Sequence, residues 1–131
     1  MPVRDVLRVP HPTLKLVADP GAPGPGAERV ARDLLDTMRS FPRCVGIAAP
    51  QIGELVRLVV VDASEHPKAK VAHGELVLVN PRVVESNGAE VAREGCLSIP
   101  DLTANVRRAT HIAVEAVTPG GEPVAIETEG F

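Results

Sequence analysis

The sequence predicts an α+β domain: one helix near the amino terminus, followed by antiparallel or mixed β-sheets. Three observations carry this reading. Helical periodicity occurs convincingly only once, between residues 27 and 41. Two β-branched apolar runs follow, at 55–61 and 76–79, and an alternating pattern broken by a turn occupies the stretch after residue 111. A chain of 131 residues fits one core and leaves little room for a second, so residues 1–131 are read as a single domain.

Residues 19–26 hold three prolines and three glycines in eight positions, a density of breakers that predicts a surface loop. Val30, Leu34, Leu35 and Met38 then recur at helical spacing, with Phe41 one turn beyond. Glu28, Arg29, Arg32, Asp33 and Asp36 fill the other side, so an amphipathic helix ends before Pro42. The runs 55–61 and 76–79 are apolar at successive positions, which predicts strands covered on both faces. Ile112, Val114 and Ala116 alternate with His111, Ala113 and Glu115. Thr118-Pro119-Gly120-Gly121 makes a turn and residues 123–127 return as the second strand of a hairpin. A sheet with two apolar faces needs two covers, and only one helix is predicted. The uncovered face is expected to recruit a partner or to self-associate.

Composition narrows the function. With 44% apolar and 24% charged residues the chain should fold. A formal charge of −3, with both signs scattered, offers no basic stripe to neutralise phosphates and argues against nucleic acid as a partner. Its apolar runs fall far short of the roughly 20 residues of a membrane span. Arg4, Asp5 and Arg8 interrupt any secretory signal, so a cytoplasmic location away from membranes is expected. Cys44 and Cys96 sit in contexts too unlike to predict a disulfide.

Two segments carry candidate chemistry. Cys44-Val45-Gly46-Ile47-Ala48-Ala49-Pro50-Gln51 is a run of small residues ending in an amide. Small side chains let backbone approach a ligand, and Gln51 can donate to a developing oxyanion; the same small residues equally serve tight helix-to-strand packing. In Glu94-Gly95-Cys96-Leu97-Ser98-Ile99-Pro100 a cysteine offers a thiolate for zinc or ferrous iron. One ligand makes no site, and a single cysteine often serves as a small buried hydrophobe. His11, His66, His73 and His111 lack the spacing of a metal pair, and nothing selects one of them to activate Cys96 as a nucleophile. His111 shares a polar strand face with Glu115 and is expected to be solvated.

Gly46-Ile47-Ala48-Ala49-Pro50-Gln51 and Glu94-Gly95-Cys96-Leu97-Ser98, in this order, resemble the first two signature motifs of the peptide deformylase family. The resemblance extends through His11-Pro12, the helix at 28–39, Val79-Asn80-Pro81 and Glu129-Gly130-Phe131, so it covers essentially the whole chain. It implies a peptide deformylase-like α+β fold and metal-dependent removal of the formyl group from N-formylmethionine on nascent polypeptides near the ribosome. The family metal is Fe2+, with Zn2+, Ni2+ or Co2+ as substitutes. Cys96 is implied as the metal ligand, and Gln51 with the backbone N–H of Leu97 as holders of the formyl oxygen. Gly46 is implied to contact the peptide backbone, while Val45 and Ile47 line or border the methionine pocket. Glu94 is implied to be structural, paired with Arg108. A metal lowers the pKa of bound water to about 7, which provides the attacking hydroxide.

The family's third motif, His-Glu-x-x-His on its last helix, supplies two imidazole ligands and a proton-transferring glutamate. It does not occur in these 131 residues. By this comparison the domain is C-terminally incomplete, the C-terminal metal-binding helix is absent from the chain, and a cover for the sheet goes with it. The implied activity then stands beside two alternatives, an inactive paralogue that binds N-formyl peptides and one half of a split enzyme. Cys44 also departs from the pattern, standing where the first motif usually begins with glycine.

Overall fold

Residues 3–41, 44–64 and 73–129 are described by the structure, a computed structural model. The loop bearing His66, Pro67 and Lys68 lies outside them, as do Gly130 and Phe131. The helix, α1 (Pro25–Arg39), starts inside the predicted loop. Pro25 and Gly26 form its first turn because proline's fixed φ suits the first helical position, where no N–H is needed. Gly24, at φ 134°, makes the entry. Val30, Ala31, Leu34 and Met38 are buried along one stripe, whereas Leu35 is only half-buried. Asp33, expected on the solvent side, is buried instead. Its carboxylate accepts a hydrogen bond from Arg4 Nη1 at 3.1 Å, so the amino-terminal segment supplies the partner that a buried charge requires.

Five strands form an antiparallel sheet in the order β1 (Gly46–Ala48), β2 (Leu58–Val61), β3 (Leu76–Asn87), β6 (His111–Val117), β7 (Pro123–Glu129). The hairpin β4 (Glu90–Cys96) and β5 (Ile99–Arg108) forms a second, two-stranded sheet. The predicted β6–β7 hairpin is present in register, Val114 opposite Ile126. Strand β2 begins later than expected, since Val56 makes only an isolated parallel bridge to Asp19. β3 runs far past the predicted 76–79. It accommodates Pro81 through a register shift between Val79 and Arg82, with Asn80 at φ 54°. The Asn80 side chain holds that irregularity in place: its Oδ1 accepts from Gly21 N–H at 2.8 Å and its Nδ2 donates to Gly21 O at 2.9 Å.

The core lies between α1 and one sheet face, where Leu34, Met38, Ile47, Leu58, Val60 and Val79 are buried together. β2 alternates rather than burying both faces: Leu58 and Val60 are buried, Val59 and Val61 half-buried. Its register with β3 puts Val59 opposite Leu78 and Val61 opposite Leu76, away from α1. Alternation along β6 and β7 adds Ile112, Val114, Val124 and Ile126 to that second apolar face, all half-buried. His111 is half-buried rather than solvated. Its Nε2 lies 3.0 Å from Glu127 Oε1 across the hairpin, while Nδ1 is buried with no partner among the described residues.

Candidate functional site

The first half of the site is built by β1 and the 3₁₀ turn that follows it, Ala49–Ile52. Proline at the head of that turn and Gly53 at φ 85° after it keep the turn to a single tight loop. Gln51 folds back along it: its Oε1 accepts from Ala48 N–H at 3.0 Å, which satisfies a backbone donor and orients the carboxamide. Leu7 N–H donates to Gln51 O at 2.7 Å, and Arg4 Nη2 donates to Ile52 O at 3.1 Å, so the amino-terminal segment braces the turn from outside.

The second half is the turn between β4 and β5, where Leu97 and Ser98 connect Cys96 to its partner Ile99. The register shifts between Gly95 and Cys96, a bulge that re-aims the side chains at the end of the hairpin. Cys96 is exposed and Ser98 is buried. Gln51 Nε2 joins the halves, lying 3.6 Å from Cys96 Sγ and 3.2 Å from Ser98 Oγ.

Both halves open on a cavity of about 660 Å³ lined by Cys44, Val45, Gly46, Gln51, Cys96 and Leu97, among others. Ile47 is not on its wall. Strand alternation turns that side chain into the core beneath α1, where it is 3% exposed. Arg8, Phe41, Ile99, Leu102 and Thr103 also line the cavity and escaped the sequence reading. Phe41 reads in the sequence as the end of the helix's apolar stripe, and Arg8, Leu102 and Thr103 carry no signal there.

Cys44 and Cys96 are both free thiols. Burial pushes the Cys44 thiol above its ordinary range and the nearby Cys96 adds to this, while a backbone hydrogen bond with Gly46 opposes it. Glu94 and Arg108 make a two-pronged pair, with Nε to Oε2 at 3.0 Å and Nη2 to Oε1 at 2.9 Å. The hydrogen bond from Arg108 holds the Glu94 carboxyl below its usual value, against a slight opposing effect of burial. The pair clamps the hairpin and does not line the cavity.

The polypeptide deformylase family model matches residues 3–131. The chain belongs to that family. Peptide deformylase 2 of Vibrio vulnificus is 39% identical over 131 residues, covering 100% of this chain and 75% of that protein. The peptide deformylase of Halothermothrix orenii is 34% identical, over 100% of this chain and 81% of its own. Among solved structures, the Legionella pneumophila peptide deformylase superposes with a TM-score of 0.87 at 36% identity, covering 98% of this chain and 73% of that one. A class I type b peptide deformylase from Acinetobacter baumannii, with Met-Ala-Ser bound, gives a TM-score of 0.90 at 30% identity, over 100% of this chain and 87% of that one. The helix and antiparallel sheets of the described residues thus form the corresponding part of the deformylase fold.

Peptide deformylases are metal-dependent hydrolases acting on N-formyl nascent peptides. The donor set here matches that requirement only in part. Cys96 presents one soft, exposed thiol, and among the described residues no group of three or more His, Cys, Asp or Glu side chains is placed to hold an ion. A tetrahedral site with a reactive fourth position takes three protein ligands. The described residues therefore offer one exposed thiol and no complete donor set of that kind.

Proposed function

We propose that this chain carries the formyl-binding half of a deformylase site and serves removal of the formyl group from N-formylmethionine of nascent polypeptides. The observation that carries this reading is the meeting of Gln51 Nε2 and Cys96 Sγ at 3.6 Å on one cavity wall, brought there by two separate turns. Cys96 is the thiolate ligand in this reading, for Fe2+ or for Zn2+, Ni2+ or Co2+. When bound, such an ion lowers the pKa of a water to about 7 and so provides the attacking hydroxide. Gln51 and the Leu97 N–H hold the formyl oxygen as it gains charge, and removing one such donor costs roughly a hundredfold or more in rate. Gly46 lets the peptide backbone pass closely, Val45 faces the methionine side chain, and Ile47 supports that wall from the core side. Glu94 and Arg108 hold the hairpin that presents Cys96 and Leu97.

The single cysteine corner favours a second reading for residues 1–131 taken as one domain: binding of N-formyl peptides without turnover. Hydrolysis of formyl-Met-Ala-Ser decides between the two. We expect no turnover from the 131 residues with any of the four metals. Turnover with one ion per chain is expected once a segment bearing His-Glu-x-x-His is supplied, in frame or as a separate chain. Hydrolysis undiminished in Cys96→Ser would sink the assignment of the thiolate. The reading places the protein in the cytoplasm near the ribosome, with no nucleic acid or membrane as partner. Its second apolar face would favour self-association, which sedimentation of the chain across concentrations checks.

A further inference from the structure

The Gln51 carboxamide is held from both ends. Its Oε1 takes the Ala48 N–H at 3.0 Å, which decides which end of the amide faces the cavity. The NH2 end has two hydrogens to place. One partner is the Ser98 hydroxyl at 3.2 Å, and Ser98 is 5% exposed. The other is the Cys96 sulfur at 3.6 Å, a long contact to an exposed and weakly accepting atom. The two partners differ in kind: one is anchored inside the protein, the other is readily given up to a better acceptor.

The backbone makes the anchor dependable. Leu7 N–H donates to Gln51 O at 2.7 Å, and Val9 N–H donates to Ser98 O at 2.9 Å. Leu7 and Val9 thereby tie the two turns together, so the distance from the Ser98 hydroxyl to the Gln51 amide does not depend on two independent loops.

We propose that Ser98 is a positioning residue for Gln51: its buried hydroxyl takes one amide hydrogen and leaves the other directed into the cavity beside Cys96. This deepens the deformylase reading, on which its functional meaning rests, because that second hydrogen is the one offered to a formyl oxygen. Without the hydroxyl the inner N–H loses its buried acceptor, and the amide gains a reason to turn away from the cavity.

Gln51 is the only glutamine of the chain, beside the asparagines Asn80, Asn87 and Asn105, so a 15N-labelled sample gives four side-chain amide pairs. The Gln51 pair is assigned by its loss in Gln51→Glu. In the unmodified chain we expect the two Gln51 hydrogens to resonate far apart. One should exchange with water at least about tenfold more slowly than those of exposed Asn105, as a hydrogen-bonded N–H in a folded region does. Ser98→Ala should abolish that protection and draw the pair together, and Ser98→Thr, which keeps the hydroxyl, should retain both features. Exchange as fast as that of Asn105 in the unmodified chain overturns the proposal, and it stands as a measurement whether or not the alanine variant folds. Full protection persisting in Ser98→Ala overturns it too. Failure to bind formyl-Met-Ala-Ser, or to hydrolyse it once a segment bearing His-Glu-x-x-His is supplied, would count against the deformylase reading while leaving these resonances untouched, so the two failures are told apart.

Discussion

Two thiols share the cavity, and their surroundings give them different reactivity. Cys96 is exposed, whereas Cys44 is half-buried, with its thiol pushed above the ordinary range chiefly by that burial. The thiolate is the species that alkylates and the reagent must reach it, so half-buried Cys44, with its raised thiol, is expected to react with iodoacetamide several-fold more slowly than exposed Cys96 near pH 8. The Cys44 rate should keep climbing at pH values where an ordinary thiol has levelled off. Mass spectrometry of a time course checks both; equal rates would remove the difference in environment on which this rests. The key residues were legible because each sits in a short segment of unusual composition: Gln51 ends a run of small residues and Cys96 lies between a glycine and a proline-terminated stretch. Ser98 carries no signal of a role in the sequence, because its meaning depends on a turn more than forty residues away. Ile47 shows the reverse. It lies between two lining residues and Ala48, and only the pleat of a three-residue strand reveals that it faces the core.

At the scale of elements, the β4–β5 hairpin and its connection to β3 yield two expectations. Arg108 holds the Glu94 carboxyl below its usual value, so the folded state binds that proton less readily than the unfolded chain. The pair therefore stabilises above the unfolded carboxylate value of about 4.3, and its contribution is lost as pH falls through the lower folded value. Because both side chains are substantially exposed, with Arg108 at 67%, Glu94→Gln should cost no more than about 1 kcal/mol at pH 7. The difference from the unmodified chain should shrink in high salt and vanish in acid, which paired thermal melts at several pH values would show. The connection is less forgiving. Gly88 has φ +71° and a Cβ there would overlap the Thr110 hydroxyl, which also donates to Asn87 O at 3.2 Å. Gly88→Ala thus combines backbone strain with a clash, and a loss of about 1–3 kcal/mol in chemical denaturation is expected. The helix and the β6–β7 hairpin were legible from periodicity and turn chemistry alone. β4 and β5 were not, because strands paired only with each other need no apolar face: Val91 and Leu102 are 63% and 66% exposed, and Glu90, Arg93, Glu94, Arg107 and Arg108 interrupt any apolar pattern. β3 was underestimated because Asn80-Pro81 reads as a terminus, and only a register shift stabilised by Gly21 carries the strand through it.

At the scale of the whole molecule, the five-stranded sheet is asymmetric, and this follows from having, among the described residues, one α-helix to pack. Both faces are apolar by sequence, which is why β2 read as covered on each side; in the structure the second face buries Leu78 and Ala116 but leaves Ile112, Val114, Val124 and Ile126 half-buried, while the face under α1 is the more completely sealed. Leu34 is 0% exposed there, packed with Leu58, Val60 and Val79. Ile126, on the second face opposite Val114, keeps contact with water. A truncation on the sealed face removes transfer free energy and also leaves a cavity, so Leu34→Ala should cost about 2–5 kcal/mol. Ile126→Ala leaves no enclosed void, and a fully buried isoleucine gains only about 1.5–3 kcal/mol by leaving water. Its part-exposed counterpart should therefore cost about 1 kcal/mol. Urea denaturation of the two variants side by side measures the asymmetry, and because both substitutions end in alanine the comparison does not hinge on an absolute stability. Equal losses would mean that the second face is as well packed as the first in solution, with something other than α1 shielding it, and the sedimentation behaviour of the same samples would show whether that shield is another copy of the chain.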